Sequence, residues 1–378
     1  MIDREDLQDY RPPGAHLEST RGEYLQFFCA DHLPAMGSAI AVKEPGGQVL
    51  YAVILRHLGG RRIEAWLPGG AQGLDTDAEV TLMDEPAGFF ATPGEPISIT
   101  PDLLRPAQPG DFLFWTDPPK MVDLDPDRSA LPVGLTAVDL LAPINRGGLH
   151  LIIDSSTDGG AARFLAQQLQ EILAPETVLC CGSSLTSGDM PSFVIDPGGD
   201  LLRHIGALQV ALALGEPLRS RGEALAFIEL PALDLTGHYS GESPALRRGI
   251  PEIVDRLGRH LASTRQSRIT TLLALHLPAQ ATGLDDVIET LRLGDVDATI
   301  HIDRQGRFDP RRSSSRAALG DEEMEHRSQL LYHLDVAHRA RDKASLLGEE
   351  ELTDSERTSL QVLEGLRIPI PPTSSAPS

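Results

Sequence analysis

Cysteine is nearly absent, with three residues in a chain of 378. So small and odd a number excludes a disulfide framework. Cys180 and Cys181 lie in an apolar, strand-like run and Cys29 follows Phe27-Phe28, so all three read as buried thiols in a reducing compartment. Positive charge is scarce as well. Lys and Arg total 33 against 55 Asp and Glu, a net charge of −22. Neutralising a phosphate backbone takes Lys and Arg, which excludes a nucleic-acid partner. The balance suits solubility and a basic protein partner. No apolar run is long enough to span a bilayer, and Met1–Pro13 is charged where a signal peptide would be apolar. The expectation is a cytoplasmic chain with no direct membrane insertion.

A third absence is local. A phosphate-binding loop reads G-x-x-x-x-G-K-[ST] between a strand and a helix. Here an apolar run, Leu149–Ile153, enters a small-residue loop, Asp154, Ser155, Ser156, Thr157, Asp158, Gly159 and Gly160. A helix-like stretch, Ala161–Leu173, follows. Gly159 stands at the second glycine, but Asp154 replaces the first, Gly160 the lysine and Ala161 the hydroxyl residue. By itself this is a tight strand-to-helix connection. Its one asset for an anion is the helix N-terminus near Gly159–Ala162, whose unpaired N–H groups favour negative charge.

What is present fills several domains. The chain is 41% hydrophobic and long enough for two or three. Ser38–Val42, Val49–Arg56, Arg61–Leu67 and Glu79–Met83 are short β-type runs separated by Gly46-Gly47, Gly59-Gly60 and Gly69-Gly70. That spacing predicts a small barrel or sandwich, assigned to residues 20–100. Six prolines in residues 101–130 read as a linker. From Leu149 strands alternate with helices: Leu149–Ile153, Ala161–Leu173, Thr177–Cys181, Leu201–Leu214, Ala224–Leu230, Pro251–Thr264 and Ile269–Leu277. Alternation of this kind predicts an α/β domain with a mainly parallel sheet, assigned to 131–318. Two helices, Glu323–Leu347 and Asp354–Leu366, fill 319–368, the second opened by Thr353 as N-cap with Glu356 three residues on. The Pro/Ser-rich tail 369–378 reads as disordered.

Several strings, in order, resemble the catalytic beta subunit of F-type rotary ATP synthases. Leu33-Pro34-Ala35-Met36, His57-Leu58-Gly59-Gly60, Gly73-Leu74 and Gly94-Glu95-Pro96-Ile97 match its barrel. Gly134-Leu135-Thr136-Ala137-Val138-Asp139-Leu140-Leu141-Ala142-Pro143, then Arg146-Gly147-Gly148, is similar to G-I-K-x-I-D-L-L-A-P-x-x-x-G-G, which leads into the family's phosphate loop. Asp309-Pro310 with Ser313-Ser314-Ser315-Arg316 resembles D-P-L-x-S-x-S-R. Glu350-Glu351-Leu352-Thr353-Asp354-Ser355-Glu356 resembles the acidic loop that faces the rotating shaft. The resemblance covers about Leu33 to Ile368. It implies a multidomain fold: an N-terminal small β-barrel, a central α/β P-loop NTPase (RecA-like) domain and a C-terminal α-helical domain. It also implies ATP or ADP with magnesium as the family's ligands. Alpha-type and beta-type ATPase subunits and a central shaft subunit are the implied partners, with Glu350, Glu351, Leu352, Asp354 and Glu356 as contact residues.

The departures fall on the chemistry. Phosphoryl transfer is mostly positioning and charge neutralisation, and the family's lysine and threonine positions are Gly160 and Ala161. Asp154 puts a carboxylate where phosphate oxygens approach; two such charges about 4 Å apart repel by roughly 1 kcal/mol in water and more when desolvated. The family's water-positioning glutamate falls on Ser187 and the adjacent arginine on Thr186, within Gly182–Asp189. Its metal-side aspartate falls on Glu229, one methylene longer. Its adenine-stacking tyrosine is missing from Gln305–Pro310, where Phe308 is the only aromatic and stands out of register. His333 and His338, five apart, do not make a zinc pair on one helix face, so no metal is expected. Arg247-Arg248, Arg311-Arg312 and Arg316 are the basic spots and read as solvated. Framework strings persist while every group for phosphate, metal, water or adenine is changed. The expectation is a non-catalytic, beta-like component of a rotary proton-translocating ATPase, structural or regulatory in its ring. The alternatives are a free-standing pseudo-ATPase interaction module or a residual ATPase with unconventional residues.

Overall fold

A computed structural model describes residues 14–44, 46–70, 73–156, 159–182, 192–198, 201–231, 254–277 and 296–366. The chain divides into two compact units. The first comprises Met1–Pro118, Cys180–Ser184 and Pro191–Pro217, and the second the remainder.

The first unit is built on an antiparallel sheet. Its strand order is Ala15–Arg21, Tyr24–Cys29, Arg62–Trp66, Val49–Gly59, Ser38–Lys43, Glu79–Phe89 and Arg105–Pro106, with Phe112–Leu113 also on Glu79–Phe89. The four runs expected from Ser38 onward are strands. The two before them were not expected. In Ala15–Arg21 only Leu17 is buried, so the run carries almost no apolar signal. In Tyr24–Cys29 the alternation is plain: Leu25, Phe27 and Cys29 turn inward. They join Ile40, Ile54, Ile63 and Leu67 in one cluster, as the two-residue period of a strand requires. The same unit holds Pro96–Ser98 paired in parallel with Ser192–Asp196, and the helix Leu201–Ala213. That helix approaches Trp66 at Gly206, where an added Cβ would lie 2.6 Å from the indole. Trp66 donates its Nε1–H to the buried Glu23 carboxylate at 2.7 Å, and Gly69 N–H donates to the other oxygen at 3.0 Å.

The second unit carries a mainly parallel sheet in the order Ser314–Ser315, Ala298–Ile302, Leu149–Asp154, Ile269–His276, Ala224–Pro231. Leu149–Asp154 runs between two parallel neighbours, with His150 opposite Leu272 on one side and Ala298 on the other. All six of its residues are buried, which is why it reads as a continuous apolar run and not as an alternation. Ala298–Ile302 was missed from sequence, being five residues interrupted by His301. Helix Gly160–Leu173 follows the central strand, and residues 254–260 are also helical. Two helices come last, Asp321–Leu347 and Asp354–Gly365. Thr353 Oγ1 accepts from Glu356 N–H at 3.3 Å and Glu356 Oε2 accepts from Thr353 N–H at 2.8 Å, the reciprocal cap expected at that start.

Cys29, Cys180 and Cys181 are buried and form no disulfide, and burial pushes the Cys29 thiol pKa up. Among the described residues no helix is long and apolar enough to cross a membrane.

His150 is fully buried in the central strand. Its Nε2 lies 3.0 Å from the Asn145 carbonyl oxygen, and its Nδ1 has no partner among the described residues. Burial drives its pKa down to about 4, against the pull of Asp297. The folded state therefore holds a neutral imidazole that the unfolded chain would protonate below about 6.5. This stability is present above pH 6.5 and is lost as pH falls towards 4, by roughly 3 kcal/mol in all. Denaturant unfolding at neutral pH and at pH 4.5 should show this loss in the wild type and much less of it in His150→Leu. An unchanged difference would remove His150 as the cause.

Candidate functional site

The loop singled out in the sequence leaves the carboxyl end of the central parallel strand. That edge is where open α/β sheets place ligands. Asp154 ends the strand, opposite His276 on the neighbouring strand, and Glu229 stands one strand further, opposite Ala274. Gly160 opens the helix. Thr157, Asp158, Thr186, Ser187, Arg247-Arg248 and the tail 369–378 lie outside the described residues.

The sequence leaves the helix N-terminus near Gly159–Ala162 as the loop's one asset for an anion. In the structure the N–H groups of Ala161 and Ala162 are taken by side chains of the protein itself. Asp154 is fully buried. Its Oδ2 accepts from the N–H of Ala162 at 2.7 Å and its Oδ1 from the N–H of Ser156 at 2.8 Å. Ser156 Oγ accepts from the N–H of Ala161 at 3.3 Å, and Ser155 N–H donates to the Ile302 carbonyl at 3.0 Å. The first turn of a helix has N–H groups without intrahelical partners. Here those of Ala161 and Ala162 are taken by a serine hydroxyl and a carboxylate. Asp154 thus supplies, from within the chain, a carboxylate acceptor of the kind a helix N-terminus favours.

Gly159 is packed from the side. Gly159 adopts φ 66, and a Cβ there would lie 2.2 Å from Cε1 and Nδ1 of His276. Only glycine meets both conditions. His276 Nε2 in turn lies 3.0 Å from Glu229 Oε1, and Arg163 Nε donates to the same oxygen at 2.9 Å. The Glu229 side chain is 9% exposed and that of Arg163 39%. A buried carboxylate needs such partners. The sequence singled out Glu229 but neither Arg163 nor His276. A lone arginine in a first helical turn and a lone histidine at a strand end have no spacing signature. Their one signal is position, since both fall at the sheet edge that the loop defines.

ATP with magnesium was the ligand pair implied by the resemblance, and these residues do not fit it. Gly160 and Ala161 supply neither a cation nor a metal-binding hydroxyl. The N–H groups of Ala161 and Ala162 are engaged, and Glu229 is held by Arg163 and His276. Among the described residues no group of three or more His, Cys, Asp or Glu could hold a metal ion. Phe308 is buried and presents no open ring face. His333 Nδ1 lies 3.0 Å from Ser359 Oγ, which ties the two last helices together.

Near the C-terminus Glu350, Glu351 and Asp354 are exposed, beside Leu346 at 83% and Leu347 at 62% exposure. Leu352 is buried. Glu356 serves the Thr353 cap and pairs with Lys343 at 3.1 Å. The Thr353 N–H and the Lys343 ammonium hold its carboxyl below the usual carboxylate range.

Two substitutions test the closed loop. Asp154→Asn keeps the size but gives up one acceptor oxygen, leaving a buried N–H unsatisfied; the expected loss is about 2 kcal/mol in denaturant unfolding. An unchanged stability would mean the carboxylate does not hold the loop. Gly159→Ala meets both the left-handed backbone and the His276 ring, with an expected cost of about 3 kcal/mol. A change within roughly 0.5 kcal/mol, the scale of a surface substitution, would contradict that packing. No family model matches the sequence.

Proposed function

We propose that the chain is a beta-like subunit of a rotary ATPase or ATP synthase whose own nucleotide site is closed. Its role is structural or regulatory, within a ring of alpha-type and beta-type subunits around a central shaft, on the cytoplasmic face of a membrane. The antiparallel sheet is then the small barrel and the parallel sheet the RecA-like domain. The last two helices are the helical domain that meets the shaft through Glu350, Glu351 and Asp354.

The carrying observation is the buried Asp154 carboxylate on the N–H groups of Ser156 and Ala162. For a phosphate to enter, it must displace two hydrogen bonds to a charged group, each contributing about 1.5–3 kcal/mol. That is roughly two to four orders of magnitude in affinity, before the missing lysine and hydroxyl are counted. The framework strings from Leu33 to Ile368 support the family. Their survival beside a closed site supports a role for shape without turnover.

Isothermal calorimetry with Mg-ATP should give no binding in the micromolar range. Micromolar affinity would overturn the closed-site reading. Expression with alpha-type and shaft-type subunits should bring the chain through size exclusion in their complex. A monomer that never joins them would replace the ring assignment with a free-standing module.

A further inference from the structure

The carboxylate at Glu229 is where the proposed ancestry would place a magnesium ion, and here two side chains of the same protein converge on it. Arg163 Nε at 2.9 Å and His276 Nε2 at 3.0 Å share Glu229 Oε1. The positive charge missing at Gly160 reappears three residues later, in the same helix, directed at this carboxylate and not at a phosphate. We propose that Arg163 is a resident cation: its guanidinium takes the place of a divalent metal on Glu229 and keeps that carboxylate closed to metal. The proposal rests on the closed-site reading above and extends it from the anion side to the cation side.

The physical case has three parts. A carboxylate that is 9% exposed is costly to hold as an anion without a positive partner. Arginine is suited to supply that partner, being always charged and more weakly hydrated than an ammonium or a divalent ion. The alternative cation has little to bind. Asp154 is committed to backbone N–H groups, and hard divalent ions take six or more oxygen ligands, water included. With Arg163 in place Oε1 is already doubly engaged. With it gone, the carboxylate loses one cationic partner while His276 stays 3.0 Å from it, and carboxylate and imidazole are both donor types for a transition metal. Arg163 is therefore a positioning residue, acting through Glu229.

The test is Mn²⁺ titration followed by electron paramagnetic resonance of the free ion. The wild type should bind no Mn²⁺ into the millimolar range. Arg163→Met, which keeps the stem and removes the charge, should gain affinity by roughly tenfold or more. The gain should vanish in Arg163→Met combined with Glu229→Gln. A folded Arg163→Met with no gain overturns the proposal, as does wild-type binding that Glu229→Gln abolishes. Should Arg163→Met not fold, the wild type still decides. Mn²⁺ should leave the His276 imidazole signals unbroadened in NMR spectra, and broadening would overturn the claim. Failure to join rotary subunits, with the Mn²⁺ gain intact, would sink the ring assignment and leave the resident cation standing.

Discussion

One buried carboxylate organises the candidate site. Asp154 lies at the end of the central strand, where a helix begins with N–H groups that need acceptors. In a phosphate-binding loop a ligand meets that need. Here Asp154 and Ser156 meet it for Ala161 and Ala162. The packing follows from this choice. The loop folds tightly enough that Gly159 sits against His276 with no room for a Cβ. His276 reaches Glu229, and Glu229 takes Arg163. At this edge of the sheet Glu229 is thus shared between a guanidinium and an imidazole, while His276 Nδ1 is buried with no partner among the described residues.

Such matching separates two properties that an active site keeps together. A catalytic site leaves charged groups preorganised but unpaired, so that the transition state can use them. In this chain Arg163 and His276 Nε2 are engaged with Glu229, and Asp154 with backbone N–H groups. The N–H groups of Ser156, Ala161 and Ala162 and the Glu229 Oε1 are each engaged within the chain.

Much of the fold was legible because its signals are strong and local. The central strand is apolar along its whole length, glycine pairs separate the N-terminal strands, and Thr353 with Glu356 marks a helix start. The less legible elements were those with weak patterns. Ala15–Arg21 buries only Leu17, and Ala298–Ile302 is short and contains a histidine. At the site, the sequence located the loop and listed the residues missing from it. It could not show the direction of a side chain. Asp154 was therefore visible as a charge that repels phosphate but not as an acceptor for Ala162. Arg163 and His276 belong to no motif, and only the sheet register brings them to Glu229.

The most direct measurement follows the backbone amides of Ser156, Ala161 and Ala162 by NMR while Mg-ATP is added to the labelled chain. The account expects all three to be protected from hydrogen exchange and to keep their positions throughout the titration, because Asp154 and Ser156 already hold them. Rapid exchange, or shifts of these amides that saturate with Mg-ATP, would contradict it.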